Sequence, residues 1–182
     1  MMKYDPAKLQ RRSIRIKGYD YRSPSGYFIT LVTQGGVRLS GEMLDGEMHL
    51  SNMGQIADEC WRLIPGHYPQ VELDAFAIMP NHVHGIIILD ERAATLSPHV
   101  GAQHVAPLRP HVKSGSLGAI IRAYKASVTR QIGREHGGPP DIWQRNYYEH
   151  IIRDDGDYKR IRLYCESNPL NWVDDDENTE RR

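Results

Sequence analysis

An α+β fold, an antiparallel sheet with its helices packed on one face, is what this chain of 182 residues predicts. Three observations point to it. Two runs of strand composition, Val71 to Met79 and His82 to Leu89, are separated only by Pro80-Asn81 and read as adjacent strands at the centre of a sheet. Three other stretches repeat their apolar residues at threes and fours, the period of an amphipathic helix. The order of elements is strand, hairpin, helix, strand, strand, helix, strand, helix, for which a sheet covered by helices is the economical packing.

Taken in order, Tyr27 to Thr33 is aromatic and β-branched and is bounded by Ser23-Pro24-Ser25-Gly26 and Gly35-Gly36, which makes it a strand. Asp45-Gly46 is a turn between Val37–Leu44 and Glu47–Leu50. Ser51 caps a helix carrying Met53, Ile56, Ala57, Cys60, Trp61 and Ile64, stopped by Pro65-Gly66. After the two central strands, Asp90 to Ser114 loses all period and gathers Pro98, Pro107 and Pro110, so residues 90–114 read as a mobile loop whose His99, His104 and His111 are solvated. Ser116 opens a basic amphipathic helix with Leu117, Ile120, Ile121, Tyr124, Val128 and Ile132 on one face. Ile142 to Ile152 has strand composition, and Asp154 or Asp155 caps a last helix that runs to Asn168 and ends at Pro169.

The length suits a single domain, expected over residues 1–172, with 173–182 as an acidic tail. With 40% hydrophobic and 25% charged residues the composition is that of a chain that folds. No run nears the roughly 20 apolar residues of a membrane span, and the N-terminus is not an apolar export segment, so a soluble, non-secreted protein is expected. Cys60 and Cys165 lack paired spacing and read as core thiols in a reducing compartment. The formal net charge of zero hides a segregation. Lys3, Lys8, Arg11, Arg12, Arg15, Lys17 and Arg22 stand at one end; Asp174, Asp175, Asp176, Glu177 and Glu180 stand at the other. Without the tail the body is basic, which suits a phosphate-binding surface as well as a merely solvated face.

Alternate residues of a strand share a face, so His82 and His84 project together. Two imidazoles so placed are able to bind a divalent metal if a third group completes the site; the plainer alternative is a pair of ordinary hydrogen bonds at a strand start. Residues four apart on a helix also lie one above the other, which stacks Tyr164 and Asn168. Taken alone, Tyr164 also suits a core aromatic. Tyr124 and Tyr158 read as packing, and Tyr147 and Tyr148 as packing or base stacking.

The ten residues Met79-Pro80-Asn81-His82-Val83-His84-Gly85-Ile86-Ile87-Ile88 resemble the His-hydrophobic-His strand of single-tyrosine transposases, especially the REP-associated tyrosine transposases. The similarity continues through Gly18-Tyr19-Asp20-Tyr21, Trp143-Gln144-Arg145-Asn146-Tyr147 and Tyr164-Cys165-Glu166-Ser167-Asn168-Pro169-Leu170. Only the 90–114 loop and the acidic tail fall clearly outside it. The resemblance implies a ferredoxin/RRM-like HUH nuclease fold, Tyr164 as nucleophile, and His82, His84 and Asn168 as ligands of a divalent ion, Mg²⁺ or Mn²⁺. It implies a single-strand DNA endonuclease and strand transferase that forms a 5′-phosphotyrosine, and specificity for hairpin DNA. It also implies a prokaryotic cytoplasmic, nucleoid-associated setting, with the protein acting as monomer or homodimer.

Phosphate contacts and stacking platforms are expected from Arg122, Lys125, Arg130, Trp143, Arg145, Tyr147 and Arg153, and a grip on a duplex stem from Arg11, Arg12, Arg15 and Lys17, unless that arm is disordered. No residue stands out as the general base. Two rivals remain: a nucleic-acid-binding module on the same sheet without chemistry, against which the joint presence of His82, His84, Tyr164 and Asn168 argues, and a histidine-triad hydrolase, which needs a third alternating histidine where Ile86 stands.

Overall fold

The computed structural model describes residues 19–90, 115–136 and 141–178. Arg11, Arg12, Arg15 and Lys17, the expected mobile loop from residue 91 onward, and residues 179–182 lie outside the described residues.

The fold is α+β. Strands β1 (Ser25–Val32), β4 (Val71–Met79), β5 (His82–Leu89) and β6 (Tyr148–Ile151) form an antiparallel sheet in the order β4-β5-β1-β6, and β2 (Gly41–Leu44) and β3 (Glu47–Leu50) form a separate hairpin. The hairpin turns on Asp45 and Gly46, with φ of 51° and 79°. Positive φ at both central residues matches the right-handed twist of the flanking strands, and the Asp-Gly pair tolerates it. Pro80 and Asn81 join β4 to β5, pairing Met79 with His82.

Helix α1 (Asn52–Arg62) begins where Ser51 Oγ accepts the Gly54 amide at 3.1 Å. Pro65 stands in the first turn of a short helix α2 (Ile64–His67), a position that needs no backbone donor. Helix α3 (Leu117–His136) packs beside α1, and both cover one face of the sheet, where Tyr27, Ile29, Leu31, Val83 and Ile87 meet Ile56, Trp61, Ile120, Tyr124 and Val128 in the main core. Gly85 belongs to this face. A Cβ there would stand 2.5 Å from the Phe76 Cβ and 3.0 Å from the Trp61 ring. Its absence lets the fully buried Trp61 ring stack on Phe76, directly behind the two histidines.

Helix α4 (Asp155–Ser167) lies over the opposite face, where Ile161 and Cys165 bury Phe28 and Ile86. Asp154 caps it by accepting the Asp157 amide at 2.9 Å. The Tyr158 hydroxyl donates to the Asp74 carboxylate, tying α4 to the edge strand β4. As expected, α1 and α3 share one face of the sheet, and the last helix lies in addition over the side of the histidines. Both cysteines are buried and free. Among the described residues no helix is long and apolar enough to cross a membrane.

Two expectations need correction. The strand expected over Ile142 to Ile152 is regular only from Tyr148 to Ile151; before it, Trp143 makes a single bridge with Thr33. The Lys125 ammonium explains this, donating to the carbonyls of Gln144 at 2.9 Å and Asn146 at 3.0 Å and holding that stretch irregular. The acidic segment expected as a solvated tail is folded through residue 178. Pro169 ends α4 but starts a 3-10 helix (Pro169–Asp174) that turns the chain back over the sheet and buries Trp172. Asn178 then donates to the Trp172 carbonyl at 3.0 Å and accepts from Arg38 at 3.1 Å, while Asn81 donates to the Glu177 carbonyl at 2.6 Å. Asp174 and Asp176 are exposed and Asp175 between them is buried, so the acidic run is not solvated along its whole length.

Candidate active site

His82 and His84 face α4, with 1% and 0% of their surface exposed. Their strand partners Val32 and Thr30 on β1 share that face, with Phe28 and Ile86 continuing it. Ile161 and Cys165 press α4 onto this floor and bring Tyr164 to its edge. The Tyr164 ring centroid is 5.2 Å from that of His84 and 5.8 Å, edge-on, from that of Phe28, and the residue remains 45% exposed. One turn on, Asn168 is 2% exposed.

The hydrogen bonds define the state of each imidazole. Asn81 donates both to the Gly36 carbonyl at 3.3 Å and to the Glu177 carbonyl at 2.6 Å, so its amide nitrogen faces that way and its oxygen faces His82 Nδ1 at 3.0 Å. An amide oxygen only accepts, which makes His82 Nδ1 the protonated nitrogen and gives Nε2 the lone pair. That nitrogen lies 3.1 Å from His84 Nδ1, which therefore donates. The chain of donors ends at His84, whose buried Nε2 makes no well-formed hydrogen bond, although the Cys165 backbone also acts on the ring. Burial pushes both histidines down to about 3, the neighbouring His82 adding to the effect at His84. Both are neutral at neutral pH, the state in which imidazole binds a metal.

Asn168 ends in the same way. Its amide nitrogen donates to Asp175 Oδ2 at 2.5 Å, and its Oδ1 is buried without a partner. His84 Nε2 and Asn168 Oδ1 are thus both buried without partners, a nitrogen and an oxygen donor of the kind a divalent cation takes. No group of three His, Cys, Asp or Glu able to hold a metal occurs among the described residues.

Asp175 is the residue that sequence reasoning missed. Its Oδ2 also accepts from the Tyr164 hydroxyl, at 3.4 Å. Partial burial holds the phenol above its ordinary value, and the Asp175 charge adds to this. Asp175 sits inside an acidic run, and the one cue to its folding was Trp172 beyond the end of the last helix.

The expected DNA contacts divide. Arg122 and Arg130 are exposed on α3, on the far side of the sheet from the histidines, so the sheet separates them from Tyr164. Lys125 is engaged with backbone carbonyls, and burial lowers it to about 8. Trp143 is buried with its ring 5.8 Å from Tyr124, so it serves the core and offers no stacking platform. Tyr147 packs half-buried against the same core, while Arg145 and Arg153 are exposed on either side of β6.

No protein-family model matches the chain. A Haemophilus influenzae protein described only as uncharacterized is 40% identical over 173 residues, which are 95% of this chain and 96% of that protein. A second protein of the same organism, described as "Putative REP-associated tyrosine transposase", is 34% identical over 104 residues, 57% of this chain, which spans about half (52%) of that relative's length. A solved structure of a REP-associated tyrosine transposase bound to a REP hairpin superposes with a TM-score of 0.58, covering 87% of this chain and 73% of that one; at 19% identity the likeness is one of fold. The chain is thus similar to a REP-associated tyrosine transposase in sequence over that shared stretch, and to another in fold over most of its length.

Proposed function

We propose that this protein is a metal-dependent single-strand DNA endonuclease and strand transferase, with Tyr164 as nucleophile and His82, His84 and Asn168 as the ligands of a Mg²⁺ or Mn²⁺ ion. The observation that carries the reading is the half-exposed Tyr164 ring against His84, together with two buried atoms that lack partners, His84 Nε2 and Asn168 Oδ1; His82 Nε2, engaged with His84 Nδ1, would leave that contact to join the ion. Bound there, the ion would polarise the scissile phosphate and neutralise its charge.

The protein's own groups do the rest. Tyr164 sits where a strand can reach it from solvent, while His84, Phe28 and Asp175 hold its ring and hydroxyl. Its phenol oxygen attacks phosphorus and the bond to the 3′-oxygen breaks. The chain is left esterified to the 5′-phosphate, and the proton lost by the phenol balances the one gained by the departing 3′-hydroxyl. Attack by a 3′-hydroxyl on the phosphotyrosine reverses the step or joins a new strand.

Hairpin-forming repeat DNA is the substrate proposed, since the fold relative was solved with such a hairpin. Arg145 and Arg153 supply phosphate contacts near β6. The test is incubation of the full chain with labelled single strands flanking a hairpin, with Mn²⁺. A covalent protein–DNA adduct carrying the label on the 5′-phosphate side is expected. Tight hairpin binding with no adduct on any strand would overturn the reading in favour of a binding module without chemistry.

A further inference from the structure

We propose that Asp175 is a positioning residue of the metal site, holding the Asn168 amide with its nitrogen engaged so that its oxygen is the atom left for the ion. This rests on the reading of His82, His84 and Asn168 as metal ligands.

The two ends of an asparagine amide have nearly the same shape and opposite chemistry. A cation takes the oxygen and is repelled by the NH₂ edge, so a ligand asparagine free to flip loses part of its affinity to the wrong orientation. A carboxylate only accepts hydrogen bonds. Asp175 Oδ2, 2.5 Å from the amide, therefore selects the nitrogen edge and turns Oδ1 away, where it is buried and unpartnered.

Asp175 is itself held. It is 6% exposed, and its Oδ1 accepts the Glu177 amide at 2.7 Å. The Glu177 carbonyl in turn accepts from Asn81, the residue whose oxygen sets the His82 tautomer. One tight turn thus bonds both the Asn168 amide and the Asn81 amide beside His82. Groups in this outer position commonly change metal affinity about 10- to 100-fold when removed.

The test is Mn²⁺ binding by the full chain without DNA, read by the electron spin resonance of free Mn²⁺, with thermal unfolding recorded alongside. The parent binds, and Asp175→Ala weakens binding about tenfold or more. The exchange Asn168→Asp with Asp175→Asn reverses donor and acceptor and places at 168 a carboxylate that needs no orienting; it restores binding close to that of the parent. If Asp175→Ala does not fold, Asp175→Asn is read in its place, with weaker binding expected because its amide can present either end.

A parent that does not bind Mn²⁺ would remove the metal reading and this inference together. A parent that binds, with Asp175→Ala or its substitute binding equally well, would remove this inference alone. Tighter binding by that variant would overturn it too, since Asp175 would then compete with the ion.

Discussion

The Tyr164 ring stands 5.2 Å from the ring of His84, one residue delivered by α4 and the other by β5, and this meeting of a phenol with a neutral, buried imidazole organises the site. It depends on how firmly α4 and the segment after it are held to the sheet.

Removal of residues 173–182 should therefore destabilise the protein. The truncation deletes hydrogen-bond partners of Asn168, Asn81, Arg38 and the Trp172 carbonyl, each lost bond, buried or partly buried, costing about 1 kcal/mol. Urea unfolding checks this, with a lower midpoint expected. An unchanged midpoint would restore the view of a solvated tail.

Stability should fall as pH drops below about 6.5. His82 and His84 have folded values near 3 against the ordinary 6.5, because burial disfavours the charged form. Between these values the unfolded chain binds more protons than the folded one, so the stability fully present above 6.5 is lost progressively toward 3. Each histidine contributes a slope of up to about 1.4 kcal/mol per pH unit. Denaturant titrations of the metal-free protein at several pH values should show it, and His82→Gln with His84→Gln should flatten the profile over that interval.

Much of this was legible in the sequence and some was not. Strand alternation placed His82 and His84 on one face, and the four-residue spacing stacked Tyr164 over Asn168, because both follow from local backbone geometry. The cap at Ser51 was legible for the same reason, and the cap of the last helix was narrowed to Asp154 or Asp155, of which the structure selects Asp154. What local pattern does not carry is tertiary assignment. Nothing in the helix spanning residues 117–136 says that Lys125 turns inward to the carbonyls of Gln144 and Asn146, or that Trp143 enters the core. Nor does an acidic run disclose that its middle member, Asp175, is buried while Asp174 and Asp176 are exposed.

Lys125→Ala and Arg145→Ala should separate structure from DNA contact. The first removes two hydrogen bonds from a partly buried ammonium and should lower the unfolding midpoint while leaving the salt dependence of DNA binding unchanged. The second should leave the fold intact and reduce the slope of log affinity against log salt by about 0.7, the loss of one phosphate contact on a single strand. Fluorescence anisotropy at several salt concentrations tests both, and a changed slope for the Lys125 variant would return that residue to the DNA surface.

Gly85→Ala should destabilise by about 1–3 kcal/mol, since the added methyl would press on Phe76 and Trp61, and no flexible side-chain end is there to yield. Thermal unfolding measures it, and a neutral result would show that the Trp61–Phe76 stack shifts freely.

The central claim is tested most directly by Tyr164→Phe in the covalent-adduct assay with a hairpin-flanked strand and Mn²⁺. The substitution removes one oxygen from a half-exposed ring that bonds only weakly to Asp175, so the fold, Mn²⁺ binding and DNA affinity should survive. The adduct should vanish completely in this variant and persist in Tyr124→Phe, Tyr147→Phe, Tyr148→Phe and Tyr158→Phe. A Tyr164→Phe protein that still becomes covalently attached to DNA would contradict the assignment.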